Sequence, residues 1–124
     1  MRMTRSEFQS VLERALEELP AQFQDAIHNL DIQVRWAPTP NERRRARLRP
    51  GMELFGLYMG IPLTRRGRGY NLVAPDIITI YQRTHERYCS SVDGMVHQAR
   101  QTLLHEIGHY LGIDEDRLHE LGVG

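Results

Sequence analysis

Apolar residues recur at helical spacing in two stretches of the chain and at strand spacing in three shorter ones. Phe8, Val11, Leu12, Ala15, Leu16 and Leu19 form one stripe, and Thr4-Arg5-Ser6-Glu7 ahead of it has the form of a capping box, so a helix opens at Thr4. Pro20 breaks that helix or starts a short second one, with Phe23, Ile27 and Leu30 facing inward. Ile32, Val34 and Trp36 alternate with polar residues, which predicts a strand over 31–36 that Pro38 and Pro40 end. A second strand is expected from Leu54 to Met59. A third is expected from Asp76 to Gln82; it is apolar on both faces at Ile77, Ile78 and Ile80 and therefore central. Residues 41–49 are Arg-rich and fit a short exposed helix or a loop, and Arg65-Arg66-Gly67-Arg68-Gly69 reads as a turn. The second long helix carries Ala99, Leu103, Leu104, Ile107 and Leu111 on one side. Ser90 or Ser91 caps its start, Gly112 sits where a helix end favours a left-handed residue, and Asp114 to Leu121 suggests one last short helix. Runs of strand and helix in this order, in 124 residues, predict a single α+β domain over 1–124.

The second long helix also carries the chemistry. Residues 105–115 read H-E-x-x-H-x-x-G-x-x-E, from His105 to Glu115. Histidines four apart on a helix lie one turn above each other, so both rings can reach one ion. Zinc accepts imidazole nitrogens at about 2.0–2.1 Å and, in catalytic sites, keeps one position for water. Glu106, about 100° around the helix from His105 in a helix of 3.6 residues per turn, points away from the ion and can face that water as a general base. A helix stopped at Gly112 sends the chain back across its own end, so the residue three past the glycine can approach as a third ligand. The metzincin pattern has histidine there; this chain has Glu115, flanked by Asp114 and Asp116. Asp114 and His119 stay open as rivals for that position. No methionine follows the motif, so a Met-turn is not expected.

The run HEIGHYLGIDEDRLHELG, with LFGLYMGIPLTRRG and PDIITIYQRT upstream, resembles the minimal zincins, a family of very small bacterial zincin-like metallopeptidases. The resemblance covers most of the chain. It implies a zincin-like core, a small mixed β-sheet packed on an N-terminal helix and an active-site helix. At the matching positions it implies His105, His109 and Glu115 as ligands of one Zn2+ and Glu106 as the base. A peptide or protein substrate follows, hydrolysed through a metal-activated water. A metal-binding protein that does not cleave efficiently is the alternative, since nine residues after Glu115 leave little chain for a lower cleft wall.

Composition narrows the rest. One cysteine, Cys89, excludes an internal disulfide framework and is expected to pack as a small hydrophobe. No apolar run has signal-peptide or membrane length, so a cytoplasmic protein without a membrane partner is the expectation. The formal net charge is zero, yet residues 35–68 hold nine Arg against two Glu, while 101–124 hold five acids against one Arg. The run Arg43, Arg44, Arg45, Arg47 and Arg49 raises a nucleic-acid or acidic-partner module as a third reading. No aromatic residue interleaves with that run, which weighs against nucleic acid. His28, His85, His97 and His119 have no partner histidine four residues on and are expected to be exposed or hydrogen-bonded. Tyr110 is expected to pack against the sheet. An extended peptide could pair with an exposed strand edge, for which residues 69–73 are one candidate.

Overall fold

The computed structural model describes residues 1–65 and 76–121. Helix α1 spans Arg5–Glu17 and α2 spans Ala21–Ile27, followed by strand β1, Leu30–Arg35, and helix α3, Pro40–Arg45. Strand β2 covers Gly56–Met59, β3 covers Asp76–Tyr81, and α4 runs directly on from it over Gln82–Tyr88. The long helix α5 occupies Val92–Leu111 and α6 occupies Glu115–Glu120.

Sequence patterning explains the two long helices. Thr4 Oγ1 accepts from the Glu7 backbone N–H, and Glu7 returns the bond to the Thr4 N–H, so the capping box closes and starts α1. Ser91, rather than Ser90, caps α5 by accepting from the Gly94 N–H. Phe8, Val11, Leu12 and Ala15 of α1 share one buried core with Ala99, Leu103 and Ile107 of α5 and with Ile78 and Ile80 of β3. Pro20 stands as the N-cap of α2.

The sheet has the order β1-β3-β2, with β1 parallel and β2 antiparallel to β3, so it is mixed and β3 is central. The burial of β3 on both faces follows from that position. Phe55 O accepts from the Tyr81 N–H across the β2–β3 ladder. By the alternation of an antiparallel pair, the N–H and C=O of residues 56 and 58 then face the outer edge. Gly56 is required where this edge meets α5, because a Cβ there would lie 2.7 Å from Thr102 Cγ2.

Strand β1 is Leu30–Arg35 rather than the expected 31–36, so Trp36 falls outside it, and β2 begins at Gly56, not Leu54. Two further details differ from the sequence expectation. The third strand ends at Tyr81 instead of Gln82, and α4 was not anticipated. Its buried residues, Gln82, Thr84, His85 and Glu86, are polar, so it carries no apolar stripe to read. Hydrogen bonds bury it instead: Gln82 Nε2 donates to Met3 O, Thr84 Oγ1 to Leu54 O, and the His85 ring bonds Tyr81 O. Most of the 65–69 turn, and the candidate edge at 69–73, lie outside the described residues. Among the described residues, β2 is the edge that borders α5.

Candidate metal centre

The last turn of α5 is built to return the chain. Gly112 has φ 80°, in the left-handed region, and the Gly112 and Ile113 N–H groups donate to His109 O and Gly108 O as in a Schellman turn. Asp114 then caps α6 by accepting from the Arg117 N–H at 2.8 Å. Leu118, fully buried, seats α6 on α5 over Gly108, where a Cβ would come within 2.4 Å of Leu118 Cδ2. A glycine inside a helix costs about 0.5–1 kcal/mol relative to alanine. Here its lack of a side chain lets α6 lie close enough to bring Glu115 over the histidines.

Glu115 Oε1 is 2.7 Å from His109 Nε2 and 3.2 Å from His105 Nε2. The two imidazole rings, 4.5 Å apart at 71°, rise from successive turns of α5. One ligand atom from each of His105, His109 and Glu115 falls within 4.8 Å of the others. Ligand atoms about 2.0–2.1 Å from a tetrahedral zinc lie roughly 3.4 Å apart, so the cluster needs only small side-chain adjustments to hold such an ion.

The surrounding charges favour a cation at this point. The Glu106 carboxylate lies 3.4 Å from His109 Nδ1, and Glu115 lies against Nε2. Glu106 is the larger influence; with Glu115 it outweighs partial burial and pushes the His109 pKa up to about 9. Glu115 itself is raised by burial, but the hydrogen bond from His109 and the charges of both histidines prevail and hold it below the usual carboxylate range.

Glu106 is buried and turned differently from Glu115. Its Oε1 accepts from the Tyr58 N–H on the outer edge of β2 at 2.9 Å. Its Oε2 is 4.0 Å from His105 Nε2 and so lies toward the histidine pair. Tyr58 is held in turn: its hydroxyl donates to buried Asp76 at 2.6 Å, and its ring meets the Tyr110 ring edge-on at 6.0 Å. Tyr110 is buried against β2 through that ring, as expected for packing.

The residues named from the sequence therefore separate cleanly. His105, Glu106, His109 and Glu115 converge. Asp114 is engaged as a helix cap, and His119 is exposed and outside the cluster, as are His28 and His97. His85 is fully buried and hydrogen-bonded. Sequence reasoning missed Tyr58 and Gly108. Nothing in the sequence points to a backbone N–H 48 residues from the carboxylate it holds. Gly108 did carry a signal, since a glycine within a helical pattern is unfavourable and calls for a packing reason.

Two depressions flank the cluster. One, of about 390 Å³, is lined by Leu54, Phe55 and Gly56 on one side and by Gln98, Thr102 and His105 on the other. The second, of about 350 Å³, lies on the His109 side between Tyr58, Pro62 and Thr64 and the turn at Gly112. The family model of the zincin-like metallopeptidases matches residues 27–124. The chain belongs to that family. Zincin-like metallopeptidases hold a metal, typically zinc, and the donor set here, two imidazole nitrogens and a carboxylate oxygen, fits one. No curated protein matches the sequence. Among solved structures, a conserved hypothetical protein from T. thermophilus is similar at 22% identity and a TM-score of 0.56, over 88% of this chain and 94% of that one, a likeness of fold. No helix among the described residues is long and apolar enough to cross a membrane.

Proposed function

We propose that this zincin-like protein is a zinc-dependent peptidase in which His105, His109 and Glu115 hold one ion and Glu106 is the general base. The observation that carries the reading is the division of labour between two carboxylates. Glu115 touches both Nε2 atoms, whereas Glu106 is anchored through Oε1 to β2 and keeps Oε2 toward the same point. A bound zinc supplies Lewis acidity, polarising a carbonyl and acidifying a water.

The chain's own residues do the rest. Glu106 Oε2 takes the proton from the attacking water and passes it to the leaving amine nitrogen. The Tyr58 N–H fixes the carboxylate, so little reorientation is needed at the moment of transfer. An extended peptide lying along the outer edge of β2 would run from the depression beside Phe55 to the one beside Pro62, with its scissile carbonyl between them.

The test compares wild type and Glu106→Gln, both zinc-loaded, on a peptide library read by mass spectrometry. Wild type is expected to cleave. The variant is expected to keep fold and metal yet lose at least about a hundredfold in rate, the usual scale of a general base. Equal cleavage by both would remove Glu106 from the chemistry. Cleavage by neither would leave a zincin-like metal-binding protein without peptidase activity.

A further inference from the structure

We propose that the face formed by α3 and the adjoining ends of β1 and β3 binds single-stranded nucleic acid, with Trp36 as a stacking platform and Arg44, Arg45, Arg47 and Arg49 as phosphate contacts. This surface is separate from the metal centre and does not depend on the peptidase reading.

Acids and arginines on this face are used differently. Glu42 of α3 accepts from the Thr39 N–H as a capping-box partner. Glu53 pairs with Arg87, and buried Glu86 accepts from Gln82 Nε2. The acids of this region are thus taken up within the fold. The arginines are not. Arg44, Arg45, Arg47 and Arg49 are exposed, and their guanidinium groups make no hydrogen bond or ion pair with any described residue. Four free cations within six positions repel each other, and a polyanion relieves that repulsion.

The aromatic partner absent from the run in sequence is supplied by the fold. Trp36, the only tryptophan, directly follows β1 and is 48% exposed. Its carbonyl accepts from the Arg83 N–H at the start of α4, and Trp36 borders a depression shared with Arg2, Arg83, Glu86 and Arg87. Arg35 and Tyr81 stand opposite each other where β1 and β3 end, and α3 begins at Pro40 just beyond, which keeps α3 at the same end of the sheet as Trp36. Burial is the main cause that raises the Tyr81 pKa, so that hydroxyl adds no negative charge to the face. A large exposed indole amid guanidinium groups fits bases that stack and phosphates that pair. An acidic protein segment would use the arginines and leave the indole idle.

The single tryptophan makes a site-specific probe. Its fluorescence is followed while an oligothymidylate of about 12 nucleotides is added, within the usual site sizes of single-strand binders. Quenching is expected. If four phosphates are neutralised, raising salt from about 50 to about 200 mM should weaken binding about 50-fold, from a slope near −0.7 per phosphate. Replacing Arg44, Arg45, Arg47 and Arg49 together by Gln should flatten that slope, whereas Arg14→Gln with Arg117→Gln should not. By anisotropy of a labelled oligonucleotide, Trp36→Ala should lose about tenfold in affinity with the slope intact, and Trp36→Phe should recover much of it. Absence of binding at the lower salt would overturn the proposal. So would polyglutamate competing equally while Trp36→Ala costs nothing, which would assign the face to an acidic protein.

Discussion

The C-terminal end of α5 and the α3 segment treat charge in opposite ways. At the end of α5, two carboxylates converge on two imidazoles, each within about hydrogen-bonding reach of another, and one carboxylate is buried and anchored. At α3, the acids are consumed by caps and ion pairs while four guanidinium groups stand free in solvent. The first arrangement can hold a small cation in one geometry. The second offers diffuse charge that can follow many geometries. Opposed charges held by a Schellman turn and a packed leucine make a site for an ion; like charges on a short helix and the segment after it make a surface for a chain.

The sharpest way to break the first half of this contrast is to remove an imidazole. His105→Ala or His109→Ala should abolish stoichiometric zinc, measured by elemental analysis after gel filtration of metal-loaded protein. Two remaining donors, one of them an exposed carboxylate, do not complete a tetrahedral site. Full occupancy in the double variant would show that the metal lies elsewhere.

The next largest effect tests the packing that brings Glu115 over the rings. Leu118→Ala empties a fully buried position and should cost about 2–5 kcal/mol in denaturant unfolding. Gly108→Ala is the subtler probe. Its Cβ meets Leu118 Cδ2, so either Leu118 shifts or α6 lifts away. We expect about 1–3 kcal/mol of destabilisation and weaker zinc binding, because Glu115 moves with α6. Unchanged zinc affinity in a folded Gly108→Ala protein would mean that α6 does not set the third ligand.

His85 supplies the pH dependence. Burial is the main cause that pulls its pKa down to about 4, against a smaller upward pull from its bond to the Tyr81 carbonyl. The folded state therefore refuses a proton that the unfolded chain accepts below its ordinary value near 6.5. Stability from the neutral ring is fully present above pH ~6.5 and falls away toward pH ~4, by up to about 3 kcal/mol across that window. His85→Gln should be less stable at neutral pH but lose less on acidification, read as unfolding free energy against pH. An identical slope in both proteins would move the dependence to other groups.

Much of this was legible in the sequence, and the exceptions share a cause. The capping box at Thr4, the doubly buried third strand, the glycine stop at 112 and the convergence expected of His105, His109 and Glu115 all rest on local spacing. Spacing is what period and cap rules read. The features missed depend on contacts between distant segments. Helix α4 is buried with hydrogen bonds to Met3 and Leu54, so its polar sequence looks like a loop. The Tyr58 N–H on Glu106 joins β2 to a helix far along the chain. The bond from the Arg83 N–H to the Trp36 carbonyl likewise joins segments far apart in the chain.

A smaller effect separates the two acids after Gly112. Glu115→Gln should weaken zinc binding at least about tenfold, since a neutral amide oxygen is a poorer zinc ligand than a carboxylate. Asp114→Asn should leave zinc affinity unchanged, because asparagine serves as well as aspartate at an N-cap. Competition with a chromogenic chelator measures both. The reverse ranking would hand the ligand role to Asp114.

The smallest effect closes the comparison from the other side. Changing Arg44, Arg45, Arg47 and Arg49 to Gln should move unfolding free energy by no more than about 0.5 kcal/mol, the usual span for surface substitutions. None of the four guanidinium groups holds a partner among the described residues, so no bond is lost. Relief of mutual repulsion pushes the sign toward slight stabilisation, more visible at low salt, where screening is weak. Zinc content should stay at the wild-type value. A loss well beyond that span, in denaturant melts at low and high salt, would mean that these arginines hold α3 in place, and the contrast between a site with every charge paired and a face with its cations free would fail.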